Sequence, residues 1–61
     1  MRIKLTNLNP IDVMVDVNGK GNVEDKTLVH PRTTAELTID QSVYPVVKGM
    51  AGVRVQVITK D

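Results

Sequence analysis

Ile11-Asp12-Val13-Met14-Val15-Asp16-Val17 alternates apolar and polar residues without a break. In an extended strand, side chains two apart share a face. Ile11, Val13, Val15 and Val17 therefore line one side, and Asp12, Met14 and Asp16 the other. Asn18-Gly19 follows directly, and both residues tolerate positive φ, so the strand is expected to run into a hairpin. Two connections fit: a tight primed turn at Asn18-Gly19, or a longer loop in which Lys20-Gly21-Asn22 and Glu24-Asp25-Lys26 continue the polar stretch. Gly19 and Gly21, so close together, favour a flexible loop.

Working outward, Met1 to Leu8 shows the same period. Met1, Ile3 and Leu5 point one way, and Arg2, Lys4 and Thr6 the other. Asn7-Leu8-Asn9-Pro10 then reads as a turn, because Pro10 biases Asn9 away from the helical region and both asparagines can bond their own backbone. Beyond the loop, Thr27-Leu28-Val29 resumes extended structure. His30-Pro31 closes it, since Pro31 lacks the N–H that a central ladder needs. Thr33 to Ile39 alternates again, with Leu37 and Ile39 on the inward face. Val53 to Thr59 does the same, with Val53, Val55 and Val57 inward and Arg54 and Gln56 outward.

Between these last two strands the period changes. Val43, Val46, Val47 and Met50 fall at i, i+3, i+4 and i+7, one face of a helix. Asp40 or Ser42 can cap its start, Pro45 fits in the first turn, Lys48 suits the negative end of the dipole, and Gly49 suits a left-handed C-terminal position. Valine is a poor helix former, so a bent extended segment over Val43 to Val47 is the rival. The order β, β, β, β, short helix, β predicts one small domain over residues 1–61. The expected class is mainly β: a small antiparallel β-sandwich or open barrel with about five strands and one short helix near residues 42–49.

Composition agrees. The chain has 61 residues, with eleven Val, four Ile and four Leu, but Tyr44 is its one aromatic residue of the Phe, Trp and Tyr group. β-Branched side chains suit a pleated sheet, yet each buries less area than an aromatic ring. A domain of this size buries only about 60% of the surface its unfolded chain exposes. Cysteine is absent, so disulfides cannot reinforce it. Self-association or a fixed partner is the remaining support, and a strand at either end of the chain offers an edge for β-augmentation. No window approaches the roughly 20 apolar residues of a membrane-spanning helix, and the basic start is not followed by a signal-peptide core. The expected home is a cytoplasm, or an assembly formed there.

The chemistry-bearing residues are few. Asp12 and Asp16 share a strand face with Met14 between them, but no histidine nearby in the sequence completes a ligand set, so a surface role is expected. His30 is the one histidine, the residue type most often used as a general base, but no Ser or Thr lies in a nucleophile-elbow context, so it reads as a strand-end residue. Gly19-Lys20-Gly21-Asn22 lacks the length and the following helix of a phosphate loop. Arg2, Lys4, Arg32, Arg54 and Lys60 can gather into a basic face. A single-strand binding groove also needs aromatic platforms and a strong charge excess, and the net charge is +1. Nucleic acid is therefore a secondary expectation. Met14, Tyr44 and Met50 are adaptable contacts of the kind interfaces favour, or core filler. No cofactor and no catalytic centre is expected.

One resemblance adds to this reading. Leu28-Val29-His30-Pro31-Arg32-Thr33-Thr34-Ala35-Glu36-Leu37-Thr38 combines a short apolar strand, a Pro-centred turn and a Thr-rich strand ending in Leu-Thr. With Ile11-Asp12-Val13 before it, and Gln41, Val46-Val47 and Gly52-Val53-Arg54-Val55 after it, the chain resembles small tailed-bacteriophage virion proteins of the capsid decoration, cement or head–tail accessory kind. Arg32 stands where the common form has glycine, and the stretch from Asn18 to Asp25 has no counterpart. The resemblance implies a β-sandwich-like, non-enzymatic structural protein, made in the host cytoplasm and carried on the capsid surface. There it would bridge neighbouring subunits of the major capsid protein or another virion protein. On that expectation the contact residues are Arg2 and Lys4 on the first strand, Asn18 and Lys20 on the loop, and Arg32, Tyr44 and Arg54. The alternative is a small oligomeric β-barrel module for single-stranded nucleic acid or another protein.

Overall fold

A computed structural model describes residues 1–20 and 26–59. In chain order the elements are β1 (Arg2–Asn7), β2 (Val13–Asp16), β3 (Lys26–Val29), β4 (Thr34–Thr38), a 3-10 turn (Gln41–Val43), α1 (Tyr44–Lys48) and β5 (Val53–Thr59). The strands form a three-stranded sheet in the order β4-β1-β5 and a two-stranded sheet of β2 and β3, all antiparallel. This is a small mixed α/β domain of two sheets and one short helix. The sheets do not close into a barrel, because among the described residues no ladder joins a strand of one to a strand of the other.

Alternation sets what each sheet buries. In the larger one Ile3 lies between Leu37 and Val57, and Leu5 between Ala35 and Val55. In the smaller one Val13 faces Val29 and Val15 faces Thr27. Ile3, Leu5, Leu37 and Ile39 meet Val15 and Val29 in one aliphatic core, closed by Val43 and Val47 from the helical segment. Burying side chains of this size contributes roughly 1.5–3 kcal/mol each. Val53, Val55 and Val57 pack against that core but stay half-buried, because the two-stranded sheet is narrower than the sheet it covers.

Two fastenings tie the layers together. The backbone N–H of Asp40, just past β4, donates to the Val17 carbonyl just past β2 at 2.8 Å. At the opposite end stands Asn7, fully buried and the one polar residue in the core among the described residues. Its Nδ2 donates to the carbonyls of Ile11 (2.9 Å), Val29 (3.0 Å) and His30 (3.2 Å), and its Oδ1 accepts from the backbone N–H of Asn9 at 2.9 Å. The sequence places Asn7 in a turn. It closes β1 instead, at the inward position its odd number gives it, and its carboxamide supplies the donors that three inward carbonyls need.

Several boundaries move for local reasons. The strand expected over Ile11 to Val17 shortens to Val13–Asp16, and Ile11 is 69% exposed. The Ile11 carbonyl is drawn to Asn7, so the chain only becomes extended two residues later. β3 begins at Lys26, one residue earlier than expected. Gly19 has a φ of +74 but Asn18 does not enter the positive region, and the ladder ends at Asp16–Lys26. The connection is therefore the longer loop and not a two-residue primed turn; residues 21–25 of that loop and Lys60 lie outside the described residues.

The helix keeps Val43 and Val47 buried and Met50 half-buried, but Val46 is 69% exposed, because a single short turn presents only one narrow side to the core. Asp40, not Ser42, caps the 3-10 turn that leads into α1, its Oδ1 accepting from both the backbone N–H and the hydroxyl of Ser42, each at 3.0 Å. The helix α1 itself starts at Val43 with no side-chain cap. Gly49 does not take the expected left-handed conformation. Its φ is −84, and its N–H still donates to Pro45. The reversal falls at Gly52 (φ +71), where a Cβ would overlap the Asn9 carboxamide. The expectation of an edge strand at each end holds for β5 alone, since β1 has neighbours on both sides.

Candidate functional site

The β2–β3 hairpin turns one face to the core and the other to solvent, and its register arranges the outer side chains in three rungs. Met14 lies opposite Leu28 and Asp16 opposite Lys26. Extending the same register by one step places Asp12 opposite His30, and these two do meet, with His30 Nδ1 at 3.2 Å from Asp12 Oδ1. The middle rung is apolar and open to solvent, with Met14 46% and Leu28 45% exposed. The outer rungs carry acid facing base. An apolar centre inside a charged rim is the anatomy of a protein–protein contact.

Asp12 and Asp16 therefore do not act as a pair. Asp12 is engaged with His30, which the spacing in the sequence hides, and Asp16 Oδ1 accepts the Gly19 N–H at 3.1 Å. No group of three His, Cys, Asp or Glu side chains placed to hold a metal ion occurs among the described residues.

The outer face of the larger sheet is polar. Its rows run Thr34–Thr6–Arg54, Glu36–Lys4–Gln56 and Thr38–Arg2–Thr59. Arg2 donates to Glu36 at 3.2 Å and to Thr38 at 3.5 Å, and the Thr6 and Thr34 hydroxyls are 2.9 Å apart. Exposed ion pairs such as Arg2–Glu36 contribute little stability. The face thus brings together Arg2, Lys4 and Arg54 of the expected contact residues.

The other expected residues lie apart from it. Arg32 sits in the turn between β3 and β4, where its N–H donates to the Asn7 carbonyl at 2.7 Å. Asn18 and Lys20 lie past β2, with the Asn18 side chain accepting from the Lys20 N–H at 3.0 Å. Tyr44 is half-buried on α1, and Lys48 Nζ stands 5.9 Å from its ring.

A groove of about 270 Å³ opens between the turn after β2 and α1. Val43, Val46, Val47 and Met50 form its apolar wall; Asp16, Gly19 and Ser42 form the other. It is smaller than the roughly 300–1,000 Å³ of typical small-molecule sites. Beside Ser42, the Asp40 carboxyl is held below its usual value, first by the Ser42 N–H, then by the Ser42 hydroxyl, with the Met1 ammonium and Lys20 adding attractions smaller than the opposing burial effect.

Leu28, Lys26 and His30 are not among the expected contact residues. Their alternation is legible, but their partners across the hairpin follow only from the register, and the sequence leaves the loop length open. No family model matches this chain, and no curated protein or solved structure is similar to it.

Proposed function

We propose that this chain is a non-enzymatic structural protein of a tailed-phage virion, an open two-sheet sandwich that docks on the capsid shell and stabilises it by interface burial. The observation that carries the proposal is the Met14–Leu28 rung, an exposed apolar pair between charged rungs on the outer face of the hairpin. Such a face loses little on desolvation at its centre and selects its partner by charge at its rim. The virion assignment rests on the resemblance carried by Leu28 to Thr38 and its flanking segments. Bound only to the assembled shell, the protein would stabilise that state by linkage.

The test is co-sedimentation with empty shells of the major capsid protein from the same source. The chain should pellet with the shells and raise their melting temperature. Leu28→Asp, which charges the centre of the face without touching the core, should cut occupancy at least tenfold. No pelleting, or equal occupancy by a folded Leu28→Asp variant, would refute the docking.

A further inference from the structure

We propose that two copies of the chain pair through the β5 edges that no described strand covers, antiparallel, about a two-fold axis at Val55. This inference stands apart from the docking reading above and needs no virion partner.

The ladder determines which backbone groups are free. In an antiparallel pair, residues alternate between those that bond across and those whose N–H and C=O point away. Leu8 donates to the Gly52 carbonyl at 2.8 Å, so in this register Thr6–Arg54 and Lys4–Gln56 are the bonded pairs of β1 and β5. Val53, Val55 and Val57 therefore turn their N–H and C=O groups away from β1. Past the irregularity beside Arg2 and Ile3, Thr59 pairs with Arg2 and its backbone turns back toward β1. The side chains of the same three valines are half-buried on the inner face. A strand laid along this edge would satisfy their backbone and cover their side chains together.

A second β5 fits in one register. Centred on Val55, it sets Val53 opposite Val57 of the second copy, Val55 opposite Val55, and Val57 opposite Val53, each pair exchanging two backbone bonds. On the outer face Arg54 then lies opposite Gln56 of the other copy. Centring on Arg54 would oppose two arginines, and centring on Val57 would set Val55 against Thr59, whose backbone groups are given to β1. Centring on Gln56 would ask Thr59 for groups it has given to β1. The other edge of this sheet is guarded. On β4 the outward backbone groups belong to Thr34, Glu36 and Thr38, so self-pairing there would centre on Glu36 and oppose two carboxylates. β5 carries no such guard.

The contact is small, so its affinity should be micromolar rather than nanomolar. Sedimentation equilibrium from about 1 μM to about 1 mM should show the mass doubling. Gln56→Glu should tighten the dimer roughly fivefold, because each introduced carboxylate faces Arg54 of the other copy, and Gln56→Arg should weaken it by a similar factor. A synthetic chain N-methylated at the Val55 amide, with its fold confirmed by circular dichroism, should remain monomeric. A monomer at every concentration would overturn the proposal. So would a dimer indifferent to N-methylation, or weakening by Gln56→Glu, which would place the axis at Gln56. An edge protected from amide exchange only on capsid shells, in a chain that stays monomeric, would assign β5 to the shell instead.

Discussion

Asn7 shows how one side chain can decide whether two layers stay together. Replacing it with Ala would leave the Ile11, Val29 and His30 carbonyls without their donor and open a gap between the sheets. A buried acceptor that loses its partner costs about 1–3 kcal/mol, so Asn7→Ala is expected to cost about 3 kcal/mol in urea unfolding. For a domain whose total stability is roughly 3–9 kcal/mol, that is a large share. Asn7→Asp should be worse despite its shape, since it sets a carboxylate against three carbonyls. Arg32 makes a second residue-scale case. Its φ is +58, in the region that glycine occupies without strain, and Pro31 before it completes the arrangement of a type II turn. The chain therefore folds the turn with arginine at a position that suits glycine. Arg32→Gly should stabilise the chain by about 0.5–1 kcal/mol, measured as a rise in the urea midpoint. If Arg32 reaches the shell, the same variant should bind it less well.

At the scale of elements, alternation is legible wherever a strand has one dry face, and all five strands lie where that period places them. What the sequence hides is the ends. Asp40 and Ser42 are equally good caps by type, and only the geometry of the 3-10 turn gives the role to Asp40. Gly49 and Gly52 are equally permissive, and the reversal falls at Gly52 because Asn9 packs there and its Nδ2 donates to the Ala51 carbonyl at 3.0 Å. The cap also has a pH signature. A carboxyl whose pKa is lowered in the folded chain contributes stability that is complete above its unfolded value, near 3.8, and lost as pH falls through the lower folded value. Asp40→Ala should therefore melt at a lower temperature than the parent at pH 7. The difference should shrink toward zero as the pH drops below 3.8, in thermal melts followed by circular dichroism.

Across the whole molecule, five strands and a short helix are legible in the sequence, and the order of those strands is not. A period of two says which side chains point inward, but not which strand stands next to which. For that reason β1 reads as an edge and the barrel stays open as an alternative until the ladders are known. The inward residues on both sides of β1 are interchangeable aliphatics: Ala35 and Leu37 on one side, Val55 and Val57 on the other. No single contact marks it as central. The same limit applies to the candidate site, where Met14 is recognisable as a contact but its partner Leu28 is not.

The central place of β1 has a bearing on how the domain folds. Arg2, at the start of β1, pairs with Thr59 at the end of β5, and Ile3 pairs with Val57. Ile3 and Leu5 therefore stay half-shielded, covered by β4 at best, until β5 is in place. Folding by this route is dominated by contacts distant in sequence and is slow for the size of the domain. A chain truncated before Val53 would leave one side of β1 open, ready to aggregate with its neighbours.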